Sequence, residues 1–103
     1  MLVIVLVTCQ DVAEGERIAD NLLRERLAAC VNIVPGVRSK FWWTGKIHDA
    51  EEVVLLIKTR KNLLRELIRK VKSVHQYENP EIIALPVIGG SKEYTKWIDN
   101  ETK

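Results

Sequence analysis

A chain of 103 residues, 47% of them hydrophobic, fits one globular domain with a modest core. A formal charge of only +2, with acids and bases interspersed, leaves no electrostatic footprint for nucleic acid or an anionic membrane. Two cysteines without paired-Cys spacing exclude a structural zinc module and point to a reducing, cytoplasmic setting.

The apolar start, Met1 to Val7, has no basic flank and is too short to span a bilayer. Residues 2–8 are instead expected to form a central β-strand, since they are β-branched and nearly continuous in apolar character. Asp11 opens a helix through a D-x-x-E capping pattern, with Glu14 reaching back. Ile18, Ala19, Leu22, Leu23 and Leu27 mark its buried face, and Glu16, Arg17, Asp20, Arg24 and Glu25 its wet one.

Two long β-rich runs follow, joined at Thr44-Gly45-Lys46, where Gly accepts the positive φ a hairpin often needs. Pro35-Gly36 interrupts the first run, which marks an edge strand bent in its middle. The second contains the continuous run from Val53 to Ile57, expected to be buried on both faces or nearly so. Such a hairpin overhangs any sheet this chain can build. Its tip carries Phe41, Trp42 and Trp43, which calls for cover from outside the monomer.

A second helix is expected over residues 62–74, with Leu64, Leu67, Ile68, Val71 and Val74 as its buried stripe. Its basic residues, including Arg65, Arg69 and Lys72, read as a solvated face. The segment His75 to Pro80 is a turn, because the residue before Pro avoids the helical region. A fourth strand, residues 82–88, is split by Pro86 and therefore lies at an edge or bulge. Ser91 caps a short last helix with Tyr94, Trp97 and Ile98 on one face.

The order is β-α-β-β-α-β plus a terminal helix. Right-handed crossovers make this the α+β ferredoxin-like sandwich, an antiparallel sheet in spatial order 4-1-3-2 with both long helices on one face. Strand two is then a long outer edge rich in Val, Ile, Phe and Trp. Edges of that kind template pairing with another chain, and self-assembly is the default remedy.

With these residues in place, the chain resembles the CutA family of divalent-cation tolerance proteins. The resemblance rests on Leu27-Ala28-Ala29-Cys30, Trp43-Thr44-Gly45-Lys46, Lys58-Thr59, His75-Gln76-Tyr77-Glu78-Asn79-Pro80-Glu81 and Tyr94-Thr95-Lys96-Trp97. It implies a cytosolic homotrimer associated with copper and other divalent cations, with no organic cofactor and no established catalysis. Two departures stand out. Gln76 occupies the place after the histidine where the family usually has Pro, and Cys9 lies two residues beyond the position, here Val7, where some members carry a cysteine.

In this topology Cys9 and His75 share one pole with Asp11, and Glu78 lies close by. Thiolate and imidazole together favour copper or zinc. The alternative is that His75 caps the second helix through its terminal carbonyls. Cys30 lies at the opposite pole, too far for a disulfide with Cys9, since the Cα atoms must approach within about 7 Å. It reads as a small buried hydrophobe, and the resemblance keeps it a metal candidate. His48, beside Asp49, Glu51 and Glu52, offers at most an adventitious surface site. Phe41, Trp42 and Trp43 fit subunit packing better than base stacking, since RNA-recognition modules carry their aromatics on central strands. No nucleophile with an adjacent base and no phosphate-binding Gly-rich loop appears, so an enzyme is not the reading. The alternative to a cation-binding trimer is a small-molecule-sensing trimer like the PII-type regulators, against which the tight hairpin turn weighs.

Overall fold

A computed structural model describes all 103 residues. The strands are β1 (Leu2–Cys9), β2 (Cys30–Trp43), β3 (Lys46–Arg60) and β4 (Ile82–Pro86). The helices are α1 (Val12–Arg24), α2 (Leu64–Val74), entered through a 3-10 turn at Lys61–Leu63, and α3 (Lys92–Glu101). The sheet order is β2-β3-β1-β4 with every neighbouring pair antiparallel, which is the expected ferredoxin-like arrangement. No helix is long and apolar enough to cross a membrane.

Period-two alternation places Val3, Val5, Val7 and Cys9 of β1 on the same sheet face as Val53, Leu55 and Ile57 of β3. Ile18 and Leu22 of α1 and Leu67 and Val71 of α2 cover that face, and all four are fully buried. Gly15 lets α1 lie close: a Cβ there would stand 3.1 Å from Leu55 Cδ2 and 3.4 Å from Cys9 Sγ. The opposite face carries Ile4, Leu6, Val54 and Leu56, which remain half-buried, and Val34, Ile83 and Leu85, which are exposed.

That asymmetry corrects three expectations. The Val53–Ile57 run is buried on one face only, because both long helices lie on one side of the sheet. Leu23 is exposed, while Leu27 reaches the core from beyond the end of α1. In the second helix Leu63, within the 3-10 turn, is a core residue, and Ile68 lies outside that cluster. The fourth strand stops at Pro86, although Val87 N–H still donates to Leu2 O at 3.0 Å. Ile88 beyond it is fully exposed.

The hairpin has the form its sequence anticipates. A register shift between Val34 and Val37 marks a bulge at Pro35-Gly36, with Gly36 at φ +74. Trp43 pairs with Lys46, so the turn is the two residues Thr44 (φ +52) and Gly45 (φ +76). Positive φ at both positions is the type I′ geometry. β1 pairs with β3 only from Val53 onward, so residues 46–52 overhang the sheet and lack a ladder partner on that side. The overhang accounts for the elongated extents of 44 × 25 × 22 Å.

Thr44 is β-branched in a left-handed conformation that Asn and Gly adopt far more readily. Thr44→Asn is expected to stabilise the chain by about 0.5–1 kcal/mol, read as a higher melting temperature. A lower melting temperature would mean that the Thr44 hydroxyl bond to Trp43 O, at 2.7 Å, outweighs the backbone strain.

Candidate functional site

The pole where β1 ends holds a connected set of buried polar groups. Asp11 caps α1, its Oδ1 accepting from Glu14 N–H at 2.8 Å. Glu14 is almost wholly buried, and its carboxylate is enclosed by main-chain donors. Gln10 N–H donates to Oε1 at 3.0 Å and Gln76 N–H to Oε2 at 2.9 Å. The capping box therefore extends beyond its own helix. One carboxylate ties the end of β1, the start of α1 and the chain leaving α2 together. Gln76 makes this possible with its main-chain N–H, which a proline at this position would lack.

His75 has a fully buried side chain, and both ring nitrogens are engaged. Nε2–H donates to Thr8 O at 2.7 Å, while Nδ1 accepts from Tyr77 N–H at 3.0 Å. This pairing assigns the neutral tautomer with the proton on Nε2. Nδ1 also lies 3.5 Å from Glu14 Oε2. The His75 ring thus neither bonds a carbonyl of α2 nor points a free nitrogen at a ligand; the residue closes α2 through its main-chain N–H, on Val71 O at 2.9 Å. It staples the 75–77 turn to β1.

Cys9 is fully buried, and its S–H donates to Asp11 O at 3.6 Å and Val53 O at 3.8 Å. Burial, followed by the carboxylates of Glu14, Asp11 and Glu52, pushes the thiol from 9.0 up to about 11. Tyr77 donates its hydroxyl to Glu52 Oε2 at 2.7 Å, and its ring packs 4.8 Å from that of His75. Burial and then that bond push the Tyr77 hydroxyl upward as well.

Beside this cluster an open groove of about 880 Å³ runs between the hairpin and residues 77–81. Arg38, Lys40, Trp43, Glu52, Tyr77 and Glu78 are among its walls.

Cys9, Asp11 and His75 do share a pole, as the topology requires, and Glu78 stands exposed at the adjoining groove. Their expected convergence on one metal position is not found: no group of three His, Cys, Asp or Glu side chains is placed to hold an ion. The reason is local. Asp11 is engaged in its cap, Cys9 with carbonyls and His75 with the main chain. The acidic stretch of β3 around His48 also divides, with Asp49 paired to Lys40 at 2.6 Å and Glu52 turned inward to Tyr77. His48 Nε2 meets Trp43 O at 3.0 Å. Cys30 lies at the far pole, half-buried. Glu52 and Tyr77 were missed as a pair because no sequence spacing links them across the fold. Glu14 was visible only as a cap.

A thiol that stays protonated in the fold yet ionises in the unfolded chain favours unfolding as pH rises. Stability from Cys9 is full below pH 9 and lost progressively towards pH 11. Urea unfolding between these values should show a falling free energy that flattens in Cys9→Ala. Parallel slopes in both proteins would contradict the assignment.

The profile of the CutA1 divalent ion tolerance protein family matches residues 3–101. Protein CutA 1, chloroplastic, of Oryza sativa subsp. japonica is 46% identical over 101 residues, 98% of this chain but only 57% of the rice protein's length. The structure of the periplasmic divalent cation tolerance protein CutA from Archaeoglobus fulgidus superposes with a TM-score of 0.97 at 43% identity, covering 100% of both chains. That of the divalent cation tolerance protein from Thermus thermophilus gives 0.97 at 42% identity, again over 100% of both. Sequence and fold agree over essentially the whole chain, which belongs to the CutA1 divalent ion tolerance protein family.

Proposed function

We propose that the protein is a homotrimeric, non-enzymatic divalent-cation tolerance protein that binds copper. The observation that carries the cation-tolerance reading is the similarity to that family across residues 3–101. Assembly has separate physical support. One sheet face is covered by no helix except α3 at its Arg60 end, and Val34, Ile83 and Leu85 lie exposed on it. The overhang adds Phe41, Trp42, Trp43 and Ile47, of which Trp42 is 73% exposed. Three strand edges, the outer sides of β2 and β4 and residues 46–52 of β3, present unpaired main-chain groups. Copies of this chain satisfy both needs at once. The non-enzymatic and cytoplasmic parts of the reading rest on the sequence, with no nucleophile beside a base in its motifs and two cysteines without paired spacing.

The candidate copper ligands are His75, Cys9, Asp11 and Glu78, with Cys30 as a separate candidate; the free protein holds the first three in other bonds, so binding at this pole requires them to exchange partners. Occupying His75 requires its ring to leave Thr8 O or Tyr77 N–H, so affinity should be weak to moderate. A small-molecule-sensing trimer of the PII type is the second reading. The groove, with its aromatic and cationic walls, favours it, and the two-residue turn weighs against a mobile effector loop.

Sedimentation equilibrium at micromolar concentration should give three times the chain mass, and a monomer mass would sink the assembly. Trp43→Ala should weaken association more than folding, since truncating an aromatic that becomes buried costs about 3–5 kcal/mol. A fully trimeric variant at nanomolar concentration would remove Trp43 from the interface.

Calorimetric titration of the reduced protein with copper should show affinity falling as pH drops and falling again in His75→Ala. Identical copper affinity in His75→Ala, Cys9→Ser and Cys30→Ser would exclude these residues as ligands.

A further inference from the structure

Two acids of the chain are buried, Glu14 and Glu52, and their surroundings differ. Glu14 accepts from two main-chain N–H groups and has the Arg17 guanidinium 3.8 Å away. Glu52, only 7% exposed, accepts a single bond, from the Tyr77 hydroxyl to Oε2 at 2.7 Å, and no basic side chain pairs with it. Every other carboxylate without an ion pair is exposed and solvated. No side-chain oxygen of a buried residue is both sealed from solvent and without a hydrogen-bond partner. Oε1 of Glu52 has no donor within the chain, so it opens onto the groove that Glu52 lines. A carboxylate held this deep without a counter-charge is costly.

The hairpin register sets the rest of the groove. Glu52, Ala50 and His48 stand on one side of β3, and Ser39 and Phe41 of β2 pair with Ala50 and His48. The Phe41 and His48 rings stack with centroids 5.9 Å apart. Between that stack and Glu52 lie ~13 Å of strand. The small pair Ser39 and Ala50 fills this interval and leaves the floor low. Arg38 and Lys40 edge the groove from the alternate positions of β2, and Lys40 is held by Asp49 at 2.6 Å. The acids of the groove, Glu52, Glu78 and Glu81, therefore outnumber its one cation without an acidic partner, Arg38.

We propose that this groove binds a small organic ammonium, its N–H groups on Glu52 Oε1 and its apolar body along Ser39 and Ala50 against the Phe41–His48 stack. One deep acceptor beside apolar and aromatic walls suits such a ligand. A bare metal ion needs several converging ligands, and the groove offers no such group. An anion meets an acid at the floor. The inference rests on the second reading above, the sensing of a small molecule, and names the class of that molecule.

The test is calorimetric titration of the purified protein with phenethylamine at about pH 7, where an alkylamine is protonated, with the mass followed by sedimentation in the same buffer. Saturable binding is expected in the wild type. It should weaken about tenfold or more in Glu52→Gln, which keeps an acceptor for Tyr77 and removes the charge. Ala50→Leu, which raises the floor and leaves the carboxylate, should weaken it several-fold. Asp49→Asn, on the alternate side of β3, should bind as the wild type does. Should Glu52→Gln fail to fold, Ala50→Leu carries the test. No saturable heat in the wild type, unchanged affinity in both groove variants, or phenethyl alcohol binding as tightly as the amine would each overturn the assignment. A wild type silent to the amine but binding ATP would overturn it and leave the sensing reading standing. Loss of assembly in Glu52→Gln, with a wild type silent to the amine, would overturn it and give Glu52 to a basic side chain of a second copy.

Discussion

Two helices on one side of a four-stranded sheet can exclude water from only one of its faces. Here α1 and α2 bury the side of β1 and β3 that carries Val5, Val7, Leu55 and Ile57, and nothing in the chain does the same for Leu6, Val54 or Leu56. Burying an apolar side chain contributes roughly 1.5–3 kcal/mol, so a wet sheet face forfeits stabilisation that a second copy can supply. The terminal helix α3 covers only the Arg60 end of that face, through Ile98 and Thr102. The overhanging hairpin repeats the problem along the strand axis, with paired edges inside the sheet and unpaired ones beyond it.

The covered side imposes its own order at the pole where β1 ends. Glu14 sits where a charge is expensive, and it is tolerated because two main-chain N–H groups donate to it and the Arg17 guanidinium lies 3.8 Å from Oε2. His75 and Tyr77 then fix the turn that leads into β4, one through Thr8 O and the other through Glu52. A cluster this fully satisfied is rigid. That rigidity gives the pole the composition of a metal site without the open valences of one.

Much of the architecture was legible beforehand, because periodicity, capping and turn chemistry all act locally. Asp11 and Glu14 announced α1, Pro35-Gly36 the bulge, Thr44-Gly45 the turn, and the order of elements left one economical topology. What failed was long-range or depended on orientation. A continuous run such as Val53–Ile57 cannot say whether one face or two will be covered. The shared pole of Cys9 and His75 followed from strand and helix direction, but the choice of hydrogen-bond partner for each ring nitrogen depended on Thr8 and Tyr77.

On the proposed reading, metal binding and assembly make different demands on the chain. A cation bound through His75 displaces that ring from Thr8 O or Tyr77 N–H, whereas assembly draws on apolar side chains and strand edges already presented. The central claim is therefore that the bare face and the free edges are contact surfaces. Hydrogen exchange of the main-chain amides in residues 46–52 and 82–86 tests it most directly. Those directed away from existing ladder partners are expected to exchange slowly in the native protein at micromolar concentration, like amides inside the sheet. Rapid exchange of these edge amides, at rates typical of exposed strands, would contradict the account.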